Sequence, residues 1–142
     1  MGEAKRILVD CDGVLTDGTL TIDHKGTKLF KTFHTRDVRA IRELVFNGYE
    51  VFIVSADDWG GAQHFASKVG ALFLHSREKD FSGLDYIAVG DDAWDACMLT
   101  GAALAFVPAD ADPSVLSIPG VVKLETSGGR GVMAEVLARL LS

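Results

Sequence analysis

Residues Ile7-Leu8-Val9 run directly into Asp10-Cys11-Asp12-Gly13-Val14-Leu15-Thr16-Asp17-Gly18. An apolar run of β-formers thus ends in two carboxylates spaced i, i+2, followed by a glycine turn. In a strand, i and i+2 point to the same side. Asp10 and Asp12 can therefore converge at the carboxyl end of the strand, where open α/β sheets place their ligands. Two carboxylates that close repel each other, and both are comfortable as anions only with a cation between them. A hard, oxygen-loving ion such as Mg²⁺ is the expected partner. Taken alone, the same residues also read as a strand running into an Asp/Gly-rich surface turn, so the rest of the chain has to decide.

Short β-rich runs alternate with helical patterns, which is the signature of an α/β fold with a parallel sheet flanked by helices. Strands are expected at 6–10, 50–56, 71–74, 85–90, 103–107 and 121–124, and helices near 37–46, 60–69, 93–99, 113–116 and 131–141. One segment breaks the alternation. Leu20 and Ile22 alternate with threonines, a turn follows at Asp23 to Gly26, and Leu29, Phe30 and Phe33 bring the chain back. This predicts a β-hairpin, about 18–34, inserted after the first strand. Its apolar residues need a partner surface, because a two-stranded ribbon is marginal alone. The 142 residues read as a single domain, 1–142. A net charge of −6 argues against nucleic acid or an anionic membrane surface as partner. No apolar run is long enough for a membrane span and no signal peptide is read, and the two cysteines make no disulfide framework, so a cytoplasmic location is expected.

Further candidates follow the later strands. Ser55 ends the second long strand, where a hydroxyl can donate to a phosphoryl oxygen or cap the next helix. Lys79 lies beyond the third, where it can offset paired carboxylates and phosphate charge, with Arg77 as a nearby competitor. Gly90-Asp91-Asp92 ends the fourth, with Asp95 one turn on. Asp91 is a plausible metal ligand, with Asp92 or Asp95 standing behind it; the acids can also cap the helix that follows.

A DxD, then Ser, then Lys, then GDDxxD, each after a strand, resembles the haloacid dehalogenase-like (HAD) phosphohydrolases over nearly the whole chain. Val14-Leu15-Thr16-Asp17-Gly18, the hairpin and Gly128-Gly129-Arg130-Gly131 resemble the small cap-less branch that contains 3-deoxy-D-manno-octulosonate 8-phosphate (KDO 8-phosphate) phosphatase. The resemblance implies a Rossmann-like HAD core with no cap domain. It implies Asp10 as nucleophile, giving an aspartyl-phosphate, and Asp12 as the acid that protonates the leaving oxygen and then the base that activates water. It implies Mg²⁺ held by Asp10, the Asp12 backbone carbonyl and Asp91, with Ser55 and Lys79 on the phosphoryl oxygens. The expected activity is phosphatase action on a small phosphorylated metabolite, a class that includes sugar phosphates. The expected assembly is a homotetramer in which hairpins form a β-barrel.

The match departs where the branch contacts the leaving group. The branch's Thr-Gly-Arg is Ser55-Ala56-Asp57 here, its Gly-Ala-Val-Arg-Glu is Gly131-Val132-Met133-Ala134-Glu135, and its Asp-Gly-x-Gly-Ile is Asp37-Val38-Arg39-Ala40-Ile41. The segment between Lys79 and Gly90 is also too short for the helix expected there. The reaction class therefore carries over better than a sugar-acid substrate. Among the remaining residues, Cys11 should point away from the site and pack. Trp59 and Trp94 suit either a leaving-group pocket or helix packing. His34 and His75 could approach the site mouth, and Arg130 could reach a neighbouring active site from the glycine-rich tail, which otherwise is only the turn before the last helix. Two other functions compete: a phospho-acceptor signalling domain, disfavoured because both first-motif acids share one strand, and a non-catalytic scaffold on the same fold.

Overall fold

The apolar run forms β1 (Arg6–Asp10), and its burial on both faces explains why it sits at the centre of a sheet. The computed structural model describes residues 4–142, so the first three positions of the expected domain lie outside the described residues. After β1 the chain turns through a tight loop, Cys11–Leu15, closed by the Thr16 N–H donating to the Cys11 carbonyl at 3.2 Å. The hairpin follows as β2 (Thr21–Ile22) and β3 (Lys28–Phe30), antiparallel as expected. Then come α1 (Thr35–Phe46), β4 (Glu50–Ser55), α2 (Gly60–Val69), β5 (Leu72–His75), β6 (Ile87–Val89), α3 (Ala96–Thr100), β7 (Leu104–Val107), α4 (Pro113–Leu116), β8 (Val122–Lys123) and α5 (Val132–Leu141).

Six strands form one parallel sheet in the order β5-β4-β1-β6-β7-β8. The connections run one way from β1 through β4 to β5, and the other way from β6 outward. The crevice at that reversal opens over the carboxyl ends of β1, β4 and β6. Pairing of Asp10 with Val54 and of Val9 with Val89 sets the end of β1 level with Val54 and Gly90. Ser55 and Asp91 each lie one residue beyond those levels.

Side-chain alternation divides the core between the faces. Ile7, Val9, Val51, Ile53 and Val89 join Ile41, Leu44, Phe65, Met133 and Val136 beneath α1, α2 and α5. Leu8, Val54 and Ala88 face Met98, Leu99 and Val115 of α3 and α4. Each fully buried aliphatic side chain of this kind contributes roughly 1.5–3 kcal/mol.

Several boundaries differ from the sequence expectation. The strands at 50–56, 85–90, 103–107 and 121–124 are shorter, and the one at 71–74 sits one residue later. The helix expected at 93–99 divides into a tight turn, Ala93–Asp95, and α3, because the Asp95 side chain folds back onto the N–H groups of Asp91 and Asp92. The first helix begins at Thr35 rather than 37, because the ring Nδ1 of His34 accepts from the Arg36 N–H at 3.0 Å and caps it. Between Lys79 and β6 no helix forms, as the short segment required.

Candidate active site

Asp10 ends β1 buried, with its Oδ1 accepting from the Lys79 ammonium at 2.8 Å. The same ammonium donates to Asp95 Oδ1 at 2.7 Å. Lys79 is itself buried, and its backbone takes the left-handed conformation, φ 50°, that side-chain-bearing residues usually avoid. Its N–H donates to the Ser76 hydroxyl at 3.1 Å, which helps hold that turn. Burial alone would push the Lys79 amine down. The Asp10 and Asp95 carboxylates outweigh it and hold the amine well above its ordinary value.

Asp91 leaves the end of β6 toward Asp10. Ligand oxygens of Asp10, Asp91 and Asp95 lie within 4.8 Å of one another. Gly13, at φ 85°, makes this approach possible: a Cβ there would overlap the Asp91 carboxylate. Gly90 does the same for Asp95, whose Cβ would lie 2.7 Å from a Cβ at that position. Burial pushes the Asp91 carboxyl up to about 7, with Asp95 and Asp92 adding to the rise. Asp10 is likewise raised well above its ordinary value, first by burial and then by Asp95, against the pull of Lys79. Among the described residues, Asp91 Oδ1 is buried without a hydrogen-bond partner. An unpartnered carboxylate oxygen in an all-oxygen cluster of surplus negative charge is the donor set a small divalent cation satisfies.

The expected residues separate by role in space. Asp95 lies within the acidic cluster, but its oxygens are taken by Lys79 and by the N–H groups of Asp91 (2.8 Å) and Asp92 (3.3 Å), so it braces the cluster. Asp92 caps the 93–95 turn, accepting from the Trp94 N–H at 2.9 Å. The Asp12 carboxylate stands apart from the cluster and faces Lys31, which approaches it at 2.9 Å. The resemblance assigns its backbone carbonyl, not this carboxylate, to a metal. Ser55 is buried at the end of β4, accepts from the Asp57 N–H at 3.1 Å and leaves the capping position of α2 to Trp59. Asp10, Asp12, Ser55, Asp57, Lys79 and Trp94 line one cavity of about 150 Å³.

Asp57 is not a free acid. Lys28 and Lys31 both pair with it, and they hold its carboxyl below the usual range against partial burial. Trp59 packs: Phe33 stacks on it at 6.5 Å, and the Lys31 ammonium lies 5.1 Å over its ring. Trp94, by contrast, is 72% exposed at the cavity edge. His34 and Arg130 line a different cavity, beside Asp17 and Phe33. His75 hydrogen-bonds the Ala56 carbonyl at 3.1 Å, next to Ser55. Cys11 is buried in the same core cluster as Ile7 and Val9.

A reading of the sequence misses Lys31 altogether, and misses what the Gly128-Gly129 turn packs against. Lys31 carries no strand-end signal and reaches the site only through the hairpin. The Gly128-Gly129 turn packs directly on the loop after β1: Gly129 N–H donates to the Val14 carbonyl at 3.0 Å, and a Cβ at Gly128 would strike the Gly13 carbonyl.

The chain is 30% identical to the KDO 8-phosphate phosphatase KdsC of Haemophilus influenzae, over 96% of this chain and 82% of that protein. The chain belongs to the HAD phosphatases of the KdsC family. It is accordingly a phosphoric monoester hydrolase. KdsC of Salmonella typhi is 28% identical over 95% of this chain and 78% of its own length. The cobalt-bound form of the Haemophilus influenzae phosphatase superposes with a TM-score of 0.87, covering 97% of this chain and 87% of that one at 30% identity. A HAD superfamily (subfamily III A) hydrolase from Legionella pneumophila gives a TM-score of 0.87 at 28% identity, covering 97% of this chain and 82% of its own. No protein-family model matches the chain. The fold is that of this family, and the acidic cluster fits a divalent metal. Among the described residues, no helix is long and apolar enough to cross a membrane.

Proposed function

We propose that this chain is a Mg²⁺-dependent phosphatase acting on a small phosphorylated sugar through an aspartyl-phosphate. The observation that carries this reading is the meeting of Asp10, Lys79 and Asp91 at the crevice where the sheet changes direction. Asp10 Oδ is the nucleophile: it attacks phosphorus as the ester oxygen leaves. Asp12 gives that oxygen its proton, then takes a proton from the water that cleaves the acyl phosphate and returns Asp10 as a free carboxylate. Ser55 and Lys79 hold the phosphoryl oxygens, and Asp92 and Asp95 keep the ligands in place. Asp10, the Asp12 carbonyl and Asp91 would hold Mg²⁺, which supplies positive charge against the phosphate dianion. The phosphatase named KdsC in Haemophilus influenzae is named for KDO 8-phosphate, and that a cobalt-bound form of it exists supports dependence on a divalent ion.

The leaving group is where this chain parts from that relative. Asp57 and Ala134 stand where the resembling branch places arginines, which favours a neutral sugar phosphate over a sugar-acid phosphate. The hairpin exposes Leu20, Ile22, Leu29 and Phe30, an apolar surface that a homotetramer would bury. The free thiols of Cys11 and Cys97 suit a reducing cytoplasm.

The test is phosphate release from a panel of phosphorylated sugars, sugar acids and nucleotides, with and without Mg²⁺, beside Asp10→Asn. Turnover that needs Mg²⁺ and vanishes in Asp10→Asn is expected. Release that survives Asp10→Asn refutes the nucleophile. A stable phosphoprotein without turnover would instead favour the phospho-acceptor reading.

A further inference from the structure

Asp12 is the acid/base of the proposed reaction, yet the residues around Asp10 do not hold its carboxylate. It stands on the open side of the cavity, its side chain 42% exposed. Among the described residues, its one side-chain hydrogen bond comes from Lys31, whose Nζ lies 3.0 Å from Oδ2 and 2.9 Å from Oδ1. Lys31 is the opposite of exposed: only 2% of its side chain meets solvent. Its ammonium is fixed from three sides, by Asp12, by Asp57 at 3.4 Å and by the face of Trp59 at 5.1 Å. Phe33 stacks on Trp59 and, at 4.0 Å, on Phe65 of α2, which ties that face to the core.

A surface lysine forms ion pairs worth little, because the side chain gives up its freedom to make them. Lys31 is in a different situation. Its ammonium already lies over the face of Trp59, and it bridges two carboxylates from a side chain only 2% exposed, so the geometry it imposes on Asp12 is well defined. An acid must lie within hydrogen-bond reach of the oxygen it protonates, and small misplacements are costly. Among the described residues, Asp12 Oδ1 is buried and accepts no hydrogen bond, so Lys31 is the one side chain that fixes the group at that distance.

We infer that Lys31 is a positioning residue for the acid/base step, holding the Asp12 carboxylate over the leaving oxygen. This inference deepens the proposed reaction and rests on it. Lys31 follows β3 immediately, and Lys28 at the start of that strand also binds Asp57. Leu29 and Phe30, between the two lysines, are 46% and 60% exposed. One short strand therefore faces the active site with its cations and presents its apolar residues outward. Through Lys31, docking of the hairpin sets the geometry of proton transfer.

Leaving groups provide the test. p-Nitrophenolate departs without a proton, whereas the alkoxide of an alkyl phosphate needs one. With Mg²⁺ present, release of the leaving group in the first turnover is compared for p-nitrophenyl phosphate and an alkyl phosphate in the parent, Lys31→Met, Lys31→Arg and Asp12→Asn chains. Methionine keeps an unbranched side chain of similar volume and removes the charge. Lys31→Met is expected to slow the alkyl ester by about 10- to 100-fold, a part of what general acid catalysis is worth, and the aryl ester by less than about threefold. Lys31→Arg should restore the alkyl rate, and Lys31→Met placed on Asp12→Asn should cost little further, since both act on one step. Equal losses on both esters, or none, in a folded Lys31→Met chain overturn the inference. If Lys31→Met does not fold, Asp57→Asn, which removes one anchor of Lys31, must lower the alkyl-to-aryl ratio, and an unchanged ratio overturns it. A parent chain that hydrolyses neither ester, or an Asp10→Asn chain as fast as the parent, overturns the phosphatase reading itself.

Discussion

Asp37 makes a quantitative prediction that does not depend on the chemistry of the site. It lies in the first turn of α1, fully buried, and its Oδ1 accepts from the N–H of Met133, at the start of α5, at 2.8 Å. It thus serves as a cap for a helix 96 residues away. Burial pushes its carboxyl from 3.8 up to about 6, and the N–H groups of Met133 and Ala134 only partly oppose the rise. Its Oδ2 has no partner. A rise of this size, at about 1.4 kcal/mol per unit, corresponds to about 3 kcal/mol. The folded-state value lies above the unfolded one, so the folded chain holds the proton more tightly. The stabilisation this gives is complete below about pH 4 and is lost as pH rises through about 6. The amide of an Asp37→Asn chain carries no such titration. Urea unfolding of the parent and Asp37→Asn at intervals from pH 4 to 7 should therefore show the parent losing about 3 kcal/mol relative to the variant across that window. A difference that stays flat, or that moves in the parent's favour as pH rises, would refute the assignment. Asp37→Ala should cost about 1–3 kcal/mol even at pH 7, since it strands the buried N–H of Met133.

Gly13→Ala should abolish the Mg²⁺-induced rise in melting temperature, because its Cβ would displace the Asp91 carboxylate; an unchanged rise would remove Asp91 from the metal site. Lys79→Met leaves Asp10 and Asp95 facing each other without their shared cation, so metal-free stability should fall by about 3 kcal/mol or more, with Mg²⁺ recovering part of it. Chemical denaturation with and without Mg²⁺ measures both effects. Ile22→Ser with Phe30→Ser should reduce the sedimenting mass if the hairpin surface is the tetramer interface, and should leave it unchanged if it is not.

The residues legible in sequence are those whose position follows from one strand. Asp10, Ser55 and Asp91 sit at or just past the ends of β1, β4 and β6, and parallel register brings such ends together without further information. Alternation alone also sends Cys11 into the core. What stays hidden depends on packing between distant segments. Asp95 reads as a helix-capping acid, and nothing local shows that Lys79 claims one of its oxygens. His34 is a poor cap by preference, so local signals start α1 later than it begins. Asp37 is the acidic residue of a first helical turn until α5 is laid against it. Trp59 and Trp94 are equivalent candidates in sequence, and only the stacking of Phe33 separates the packed one from the exposed one.

The same division bears on the substrate. In the proposed reaction, the phosphoryl end of the cavity would be built from strand ends, and the leaving-group end from the hairpin and the loop after β4. An acid at position 57 in place of an arginine reverses a charge, and by itself that reversal would suit a cationic sugar. In the folded chain, however, Lys28 and Lys31 both engage Asp57, so its charge is compensated before any substrate arrives. The replacement therefore removes a cation from the substrate's reach without offering an anion in its place. The expected order of kcat/KM is neutral sugar phosphate first, with sugar-acid phosphate and amino-sugar phosphate both below it. Asp57→Arg should raise the sugar-acid phosphate relative to the neutral one, because the introduced guanidinium would reach toward a carboxylate while Lys28 and Lys31 repel it outward from the hairpin. An amino-sugar phosphate that leads the parent's order would show that Asp57 is freed in the complex and contacts the leaving group directly.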